Sequence, residues 1–186
     1  MKKILIVVFS VLCLLFLKAA LFLPRYVEVS RTIHINASPK TVFPLIAEAK
    51  NWEQWSPWLA QDPLMELSYP EQTEGVGSGF SWKSESQGSG SMRITQSREP
   101  NLLNNTFEFD ERGRAEASFQ LQELKTTSNK AAQEGTSRPN ARITWQMTID
   151  MGRSPISKLL GLFVDSTVGP DLEDGLSRLK KTAEAL

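Results

Sequence analysis

The chain has one cysteine, one histidine and two tyrosines in 186 residues, and no excess of charge of either sign, with 21 basic against 21 acidic side chains. A single thiol excludes a disulfide framework, and one thiol with one imidazole excludes a Cys/His zinc site. His-based nucleophilic catalysis and most imidazole metal chemistry lack the groups they need. The cluster of lysine and arginine that contacts a phosphate backbone is missing, so no nucleic-acid partner is expected. Neither a metal nor a cofactor is expected. What is present is ordinary for a folded protein: 40% hydrophobic and 23% charged residues, in a length that allows one globular domain plus an appendage.

The appendage is N-terminal. Lys2 and Lys3 lead into Ile4–Leu17, apolar except for Ser10, and after Lys18 the run resumes through Ala19–Leu23 to Pro24. Counted through Lys18, Ile4–Leu23 measures about 30 Å as a helix, enough to cross a bilayer. Lys18 lies near one end, where its ammonium can snorkel to the interface. A cleaved signal peptide has the same basic start and apolar core. Cleavage wants small residues at −3 and −1, and cutting after Ala20 or Ala19 puts Lys18 or Leu17 at −3. Residues 1–24 are therefore read as an uncleaved anchor, with the signal peptide as the rival. The expected location is the cell membrane, as a single-pass protein with its domain on the extracytoplasmic side. Removing Lys2, Lys3 and Lys18 leaves 18 bases against 21 acids, a net of −3 for residues 25–186.

Tyr26–Ile35 alternates, with Val27, Val29, Ile33 and Ile35 on one face and Arg31 as the exception among them; this predicts a half-buried strand. Ser38-Pro39 predicts a helix start, and Pro44 predicts that this helix is short or bent. Strands are expected near Met65–Tyr69, Gly79–Ser84, Ser91–Ser97, Leu102–Phe109, Ala115–Leu124 and Ala141–Met151. Their tight Gly/Ser/Asn-rich connections imply antiparallel neighbours. Residues 125–140 are polar and without periodicity, and are expected to form an exposed loop. Ser154-Pro155 opens a second helical pattern, apolar at Ile156, Leu159, Leu160, Phe163, Val164, Val168, Leu172, Leu176, Leu179, Ala183 and Leu186. The pattern stays in phase across Gly169-Pro170, which predicts one long helix kinked there or two nearly collinear ones. An apolar stripe of that length needs the face of a curved sheet to cover it.

Strand, short helix, six strands and long helix is a helix-grip order, and here the chain resembles a known family, the polyketide cyclase/dehydrase-like branch of the START-like (SRPBCC) superfamily. The resemblance rests on Ile35-Asn-Ala-Ser-Pro-Lys-Thr-Val-Phe43, Asn51-Trp-Glu-Gln-Trp-Ser-Pro-Trp58, Gly75-Val-Gly-Ser-Gly-Phe-Ser-Trp82, Gly90-Ser-Met-Arg-Ile-Thr95, Arg142-Ile-Thr-Trp-Gln-Met147 and Asp171-Leu-Glu-Asp-Gly-Leu-Ser-Arg-Leu-Lys180. It implies an α+β fold over residues 25–186, a curved antiparallel sheet wrapped around the C-terminal helix. It also implies a carrier or binder of apolar ligands, since only some members are cyclases or hydrolases. The N-terminal anchor departs from the usual member.

The candidate site is the space between sheet and long helix. Phe80, Trp82, Met92, Ile94, Phe107, Phe109, Phe119, Leu121, Trp145, Met147 and Ile149 form the expected inward set, an aromatic and Met-rich mixture that suits either an adaptable apolar pocket or an ordinary core. Strand parity adds Arg31, Gln96 and Asn105, which would meet either a ligand head group or an internal partner. Trp52, Trp55 and Trp58 recur every third residue, as an aromatic rim over the pocket or as a core plug. Gly75, Gly77 and Gly79 precede a strand rather than a helix, so they are read as a turn and not a phosphate loop. His34 faces solvent, and no acidic pair has general acid–base spacing. No catalytic residue is identified. The expected function is a membrane-anchored module binding a hydrophobic small molecule or lipid. The alternatives are an enzyme of the cyclase or hydrolase kind and a packed protein-interaction domain.

Overall fold

The computed structural model describes residues 2–110, 113–124 and 140–186, without the side chains at 19–21. Helix α1 (Lys2–Phe22) comes first, and its described side chains are exposed. Among the described residues no helix is long and apolar enough to cross a membrane, a departure from the spanning helix expected over Ile4–Leu23.

Seven strands follow in one antiparallel sheet: β1 (Tyr26–Ile35), β2 (Glu66–Ser68), β3 (Gly79–Ser84), β4 (Gly88–Arg98), β5 (Leu102–Phe109), β6 (Gly113–Leu124) and β7 (Asn140–Asp150). Their order is β1-β7-β6-β5-β4-β3-β2. Hairpins join sequential neighbours, and β7 returns beside β1, with Tyr26 opposite Asp150 and Ile35 opposite Ala141. All seven strands lie where alternation and turn residues predict them. Apart from Asn140, which opens β7, the loop expected over 125–140 lies outside the described residues.

Helix α2 (Pro39–Ala47) starts as its sequence dictates. Ser38 has extended backbone and its hydroxyl accepts from the Thr41 amide at 3.1 Å, with Pro39 at the first helical position. The helix is short, as Pro44 predicts. A 3₁₀ turn (Ala49–Gln54) and helix α3 (Pro57–Gln61) follow.

The C-terminal pattern folds differently from its expectation. Helix α4 (Pro155–Leu160), a 3₁₀ turn (Gly161–Phe163) and helix α5 (Val164–Glu184) share it, and α5 runs through Pro170. Gly169 serves a close approach, because a Cβ there would lie 2.2 Å from Arg31 Nη2. Val164, Leu172, Leu176, Leu179 and Ala183 are buried against the sheet and α2. Ile156, Leu160 and Phe163 are 60–62% exposed, so the first third of the apolar stripe does not cover the sheet.

Candidate ligand-binding site

The inner face of the sheet divides into a filled half and a hollow half. Trp52 and Trp55 fill the first. Both are fully buried, and their indole N–H groups donate to the Ile46 and Leu45 carbonyls at 3.0 and 2.8 Å, on the chain that ends α2. Trp52 meets Phe119 and Trp145 edge-on, at centroid distances of 5.9 and 6.3 Å, and Phe119 stacks on Trp145 at 4.9 Å. Satisfied indoles and interlocked rings of this kind make a core plug.

In the other half lies a cavity of about 280 Å³, close to the lower end of the roughly 300–1,000 Å³ typical of small-molecule sites. Its walls are Phe80 and Trp82 of β3, Phe107 and Phe109 of β5, and Met147 and Ile149 of β7. Trp58, Leu59, Met65 and Val168 close it, and Ala115 of β6 leaves the space between larger neighbours. Ser56, Gln87, Arg114 and Asp171 are its polar members. Cross-strand register sets the position. Trp82 lies opposite Gly90, Gly90 opposite Phe109, Phe109 opposite Gly113, Ala115 opposite Ile149 and Ile149 opposite Val27. These residues cross the sheet at one end, the end where β1 leaves α1. A Cβ at Gly90 would fall 2.5 Å from Trp82 Cζ2, so the indole lies directly on the Gly90 backbone.

The polar rim is organised by α3. Asp171 of α5 accepts the Trp58 indole N–H at 3.2 Å and the Gln61 amide at 2.9 Å. Asp62 ends α3, and the Ser84 and Ser86 hydroxyls donate to its Oδ2 while the Leu64 amide donates to Oδ1. These hydrogen bonds, the one from Ser84 first, hold the Asp62 carboxyl below its ordinary range. Arg114 pairs with Glu116 at 3.3 Å, both more than half exposed.

Six members of the inward set expected from sequence therefore line the cavity: Phe80, Trp82, Phe107, Phe109, Met147 and Ile149. Met92, Ile94, Phe119, Leu121 and Trp145 do not line the cavity and lie in the packed core, each 2% exposed or less, and Phe119 and Trp145 face the Trp52/Trp55 plug directly. Arg31 does not line the cavity. Its Nε and Nη1 donate to Glu173 and Asp165 of α5 at 2.6 and 2.9 Å, and these two partners raise its already high pKa. Asn105 is 1% exposed between Ile94 and Ala117, and its amide has no hydrogen-bond partner among the described residues. Gln96 faces Asn104 on the outer side, because a β-bulge between Ile94 and Gln96 shifts the register and reverses the parity. Trp58 is a wall residue while Trp52 and Trp55 are core, so the tryptophan triplet serves both of its expected roles. Gly75 and Gly77 have φ of +79° and +92° in the turn before β3. Sequence reading overlooked Ala115 and Asp171. A small residue at an inward position of β6 was the available signal for the first; nothing local marks the second.

The profile described as "Polyketide cyclase / dehydrase and lipid transport" matches residues 26–184. No curated protein matches this chain in sequence. Solved structures share its fold at low identity. A protein from Arthrobacter aurescens superposes with a TM-score of 0.58 at 14% identity, over 86% of this chain and 87% of that one. Ara h 8.0201 gives 0.57 at 12%, over 87% and 99%. DynU16, from the dynemicin biosynthetic locus, gives 0.55 at 13%, over 84% of this chain and 47% of that one. With a helix-grip sheet, an apolar cavity under its C-terminal helix and a family match over nearly the whole domain, the chain belongs to the polyketide cyclase/dehydrase and lipid transport family.

Proposed function

We propose that the protein is a membrane-anchored binding module that holds one hydrophobic small molecule, or part of a lipid, in the cavity between its sheet, α3 and α5. The cavity carries this reading. Aromatic rings and Met65, Met147 and Ile149 supply an adaptable apolar wall, with a few polar groups gathered at one side. A volume near 280 Å³ suits a compact apolar molecule or a single short chain. The anchor rests on the sequence: Ile4–Leu23 has the length of a bilayer crossing. Only Pro24 and Arg25 separate that run from β1, which sets the domain against the bilayer; an inside N-terminus at Lys2 and Lys3 puts it on the extracytoplasmic side. The ligand is then a membrane lipid or an apolar compound dissolved among lipids. A cyclase-type reaction draws no comparable support. Asp171 is the one carboxylate among the described wall residues, and it is already engaged by Trp58 and Gln61.

Native mass spectrometry of the full-length chain, extracted gently from its own membrane, tests the reading. A discrete added mass is expected, and Ala115→Leu, which fills the cavity, abolishes it while circular dichroism shows an intact fold. A bare protein mass, followed by no uptake of added lipid or apolar dye, would refute it.

A further inference from the structure

Large exposed apolar side chains concentrate on two neighbouring elements. One is α1, where Ile4 to Leu17 are exposed around the whole circumference. The other is α4 with its following 3₁₀ turn, where Ile156, Leu160, Leu162 and Phe163 are 60–64% exposed and Leu159 is 39% exposed. The two are continuous. α1 packs on α4, and Leu12, Leu15, Phe16, Phe22 and Leu23 form one groove with Leu159 and Leu162. Gly161 fixes the turn to the domain: a Cβ there would lie 3.0 Å from Val27 Cγ2 and 3.3 Å from Met151 Cγ. Val27 stands opposite Ile149, in the row of residues that holds the cavity. The exposed patch thus sits at the cavity end of the sheet.

A helix apolar all round is buried either in a large protein's core or in a membrane, and the contact this domain offers α1 is the short α4 on one side, which leaves the rest of its circumference for hydrocarbon. Whatever surrounds α1 also reaches α4, because the groove joins them through apolar side chains, with Lys18 as its one charged member. Lys18 lies in that groove, and Arg153 is exposed just before α4; both suit the headgroup level beside a short buried apolar segment. The part of α1 that shares the groove, from Leu12 to Phe22, rises about 15 Å at 1.5 Å per residue, which leaves room for the roughly 5–10 Å burial of an interfacial segment beside it.

We propose that residues 155–163 form a lipid-docking surface whose exposed Ile156, Leu160, Leu162 and Phe163 enter the bilayer beside α1 and hold the cavity end of the domain at the membrane. This rests on the anchor reading above and adds a second, independent contact. It gives the cavity a short path to lipid-dissolved ligand.

The test uses the full-length chain in phosphatidylcholine vesicles containing nitroxide-labelled acyl chains. Native Cys13, the only thiol, carries a polarity-sensitive fluorophore for α1. Leu160→Cys, Phe163→Cys and Glu99→Cys, each with Cys13→Ser, carry it in turn. Quenching at 160 and 163 about threefold or more above that at 99 is expected, with a blue-shifted emission on vesicle addition. Quenching at Cys13 with none at 160 and 163 would overturn the docking surface and leave the anchor standing. No quenching at Cys13 would defeat the anchor reading, and the docking surface with it. Shielding of 160 and 163 from an aqueous quencher without lipid quenching would overturn the proposal in favour of a second copy or another protein on this patch.

Discussion

Trp58 and Asp171 face each other across the cavity rim, the indole N–H of α3 donating to the carboxylate of α5 at 3.2 Å. The contact closes one wall of the hollow and ties the short α3 to the long C-terminal helix. Trp58→Phe keeps a ring and removes the donor. The loss of one hydrogen bond to a charged acceptor is expected to lower stability by about 1.5–3 kcal/mol. Thermal unfolding measures that loss; a cost of zero would show that Gln61 alone holds Asp171.

Ala115→Leu is expected to lower affinity for the bound apolar molecule by about tenfold or more, since added side-chain carbons occupy the volume a ligand needs. Unfolding temperature should hold or rise, because the new side chain fills a void rather than a packed core. Dye displacement and a melting curve on the same variant separate the two effects.

Gly175 of α5 lies against the packed half, where a Cβ would be 2.7 Å from Trp145 Cζ3 and 3.0 Å from Pro57 Cδ. Neither neighbour is a flexible chain end, so Gly175→Ala is expected to cost about 1–3 kcal/mol through overpacking, despite alanine's better helix propensity. A denaturant titration read by tryptophan fluorescence gives the value.

The Asn105 amide is buried without a hydrogen-bond partner among the described residues. Asn105→Leu, an apolar residue of similar size, is expected to raise stability by about 1 kcal/mol, with ligand affinity unchanged because Asn105 does not line the cavity. A fall in affinity with stability held would instead assign the amide to the ligand.

Arg25 joins the base of the domain to the end of β7, its Nε donating to Asp150 at 2.7 Å. The Arg25 hydrogen bond first, then the Gly152 amide, push the Asp150 pKa down to about 2 from 3.8. A carboxylate with a lowered folded pKa contributes stability above its unfolded value, and that contribution is lost as pH falls through the folded one. Stability should therefore drop between pH 3.8 and about 2, and Asp150→Asn should flatten this part of the profile. Melting curves across that window, compared between the two proteins, make the check.

Period-two alternation and turn residues were enough to place β1 to β7, because a strand with one buried face must alternate. Ser38-Pro39 and Ser154-Pro155 marked two helix starts for equally local reasons, a hydroxyl cap with a preset φ at the first and the preset φ of Pro155 at the second, where Ser154 makes no cap hydrogen bond. Local pattern was not enough at Gln96, where one extra residue in β4 reversed the face. Nor was it enough at Ile156, Leu160 and Phe163, which keep helical phase with α5 yet lie outside the sheet's cover. Residue type by itself determined that the interior is aromatic and apolar. Which half of that interior is hollow was decided in three dimensions, by the Trp52/Trp55 plug arriving from α2 and by Ala115 leaving its neighbours unfilled. Packing is a property of residues far apart in the chain, and no local pattern records where their volumes fail to meet.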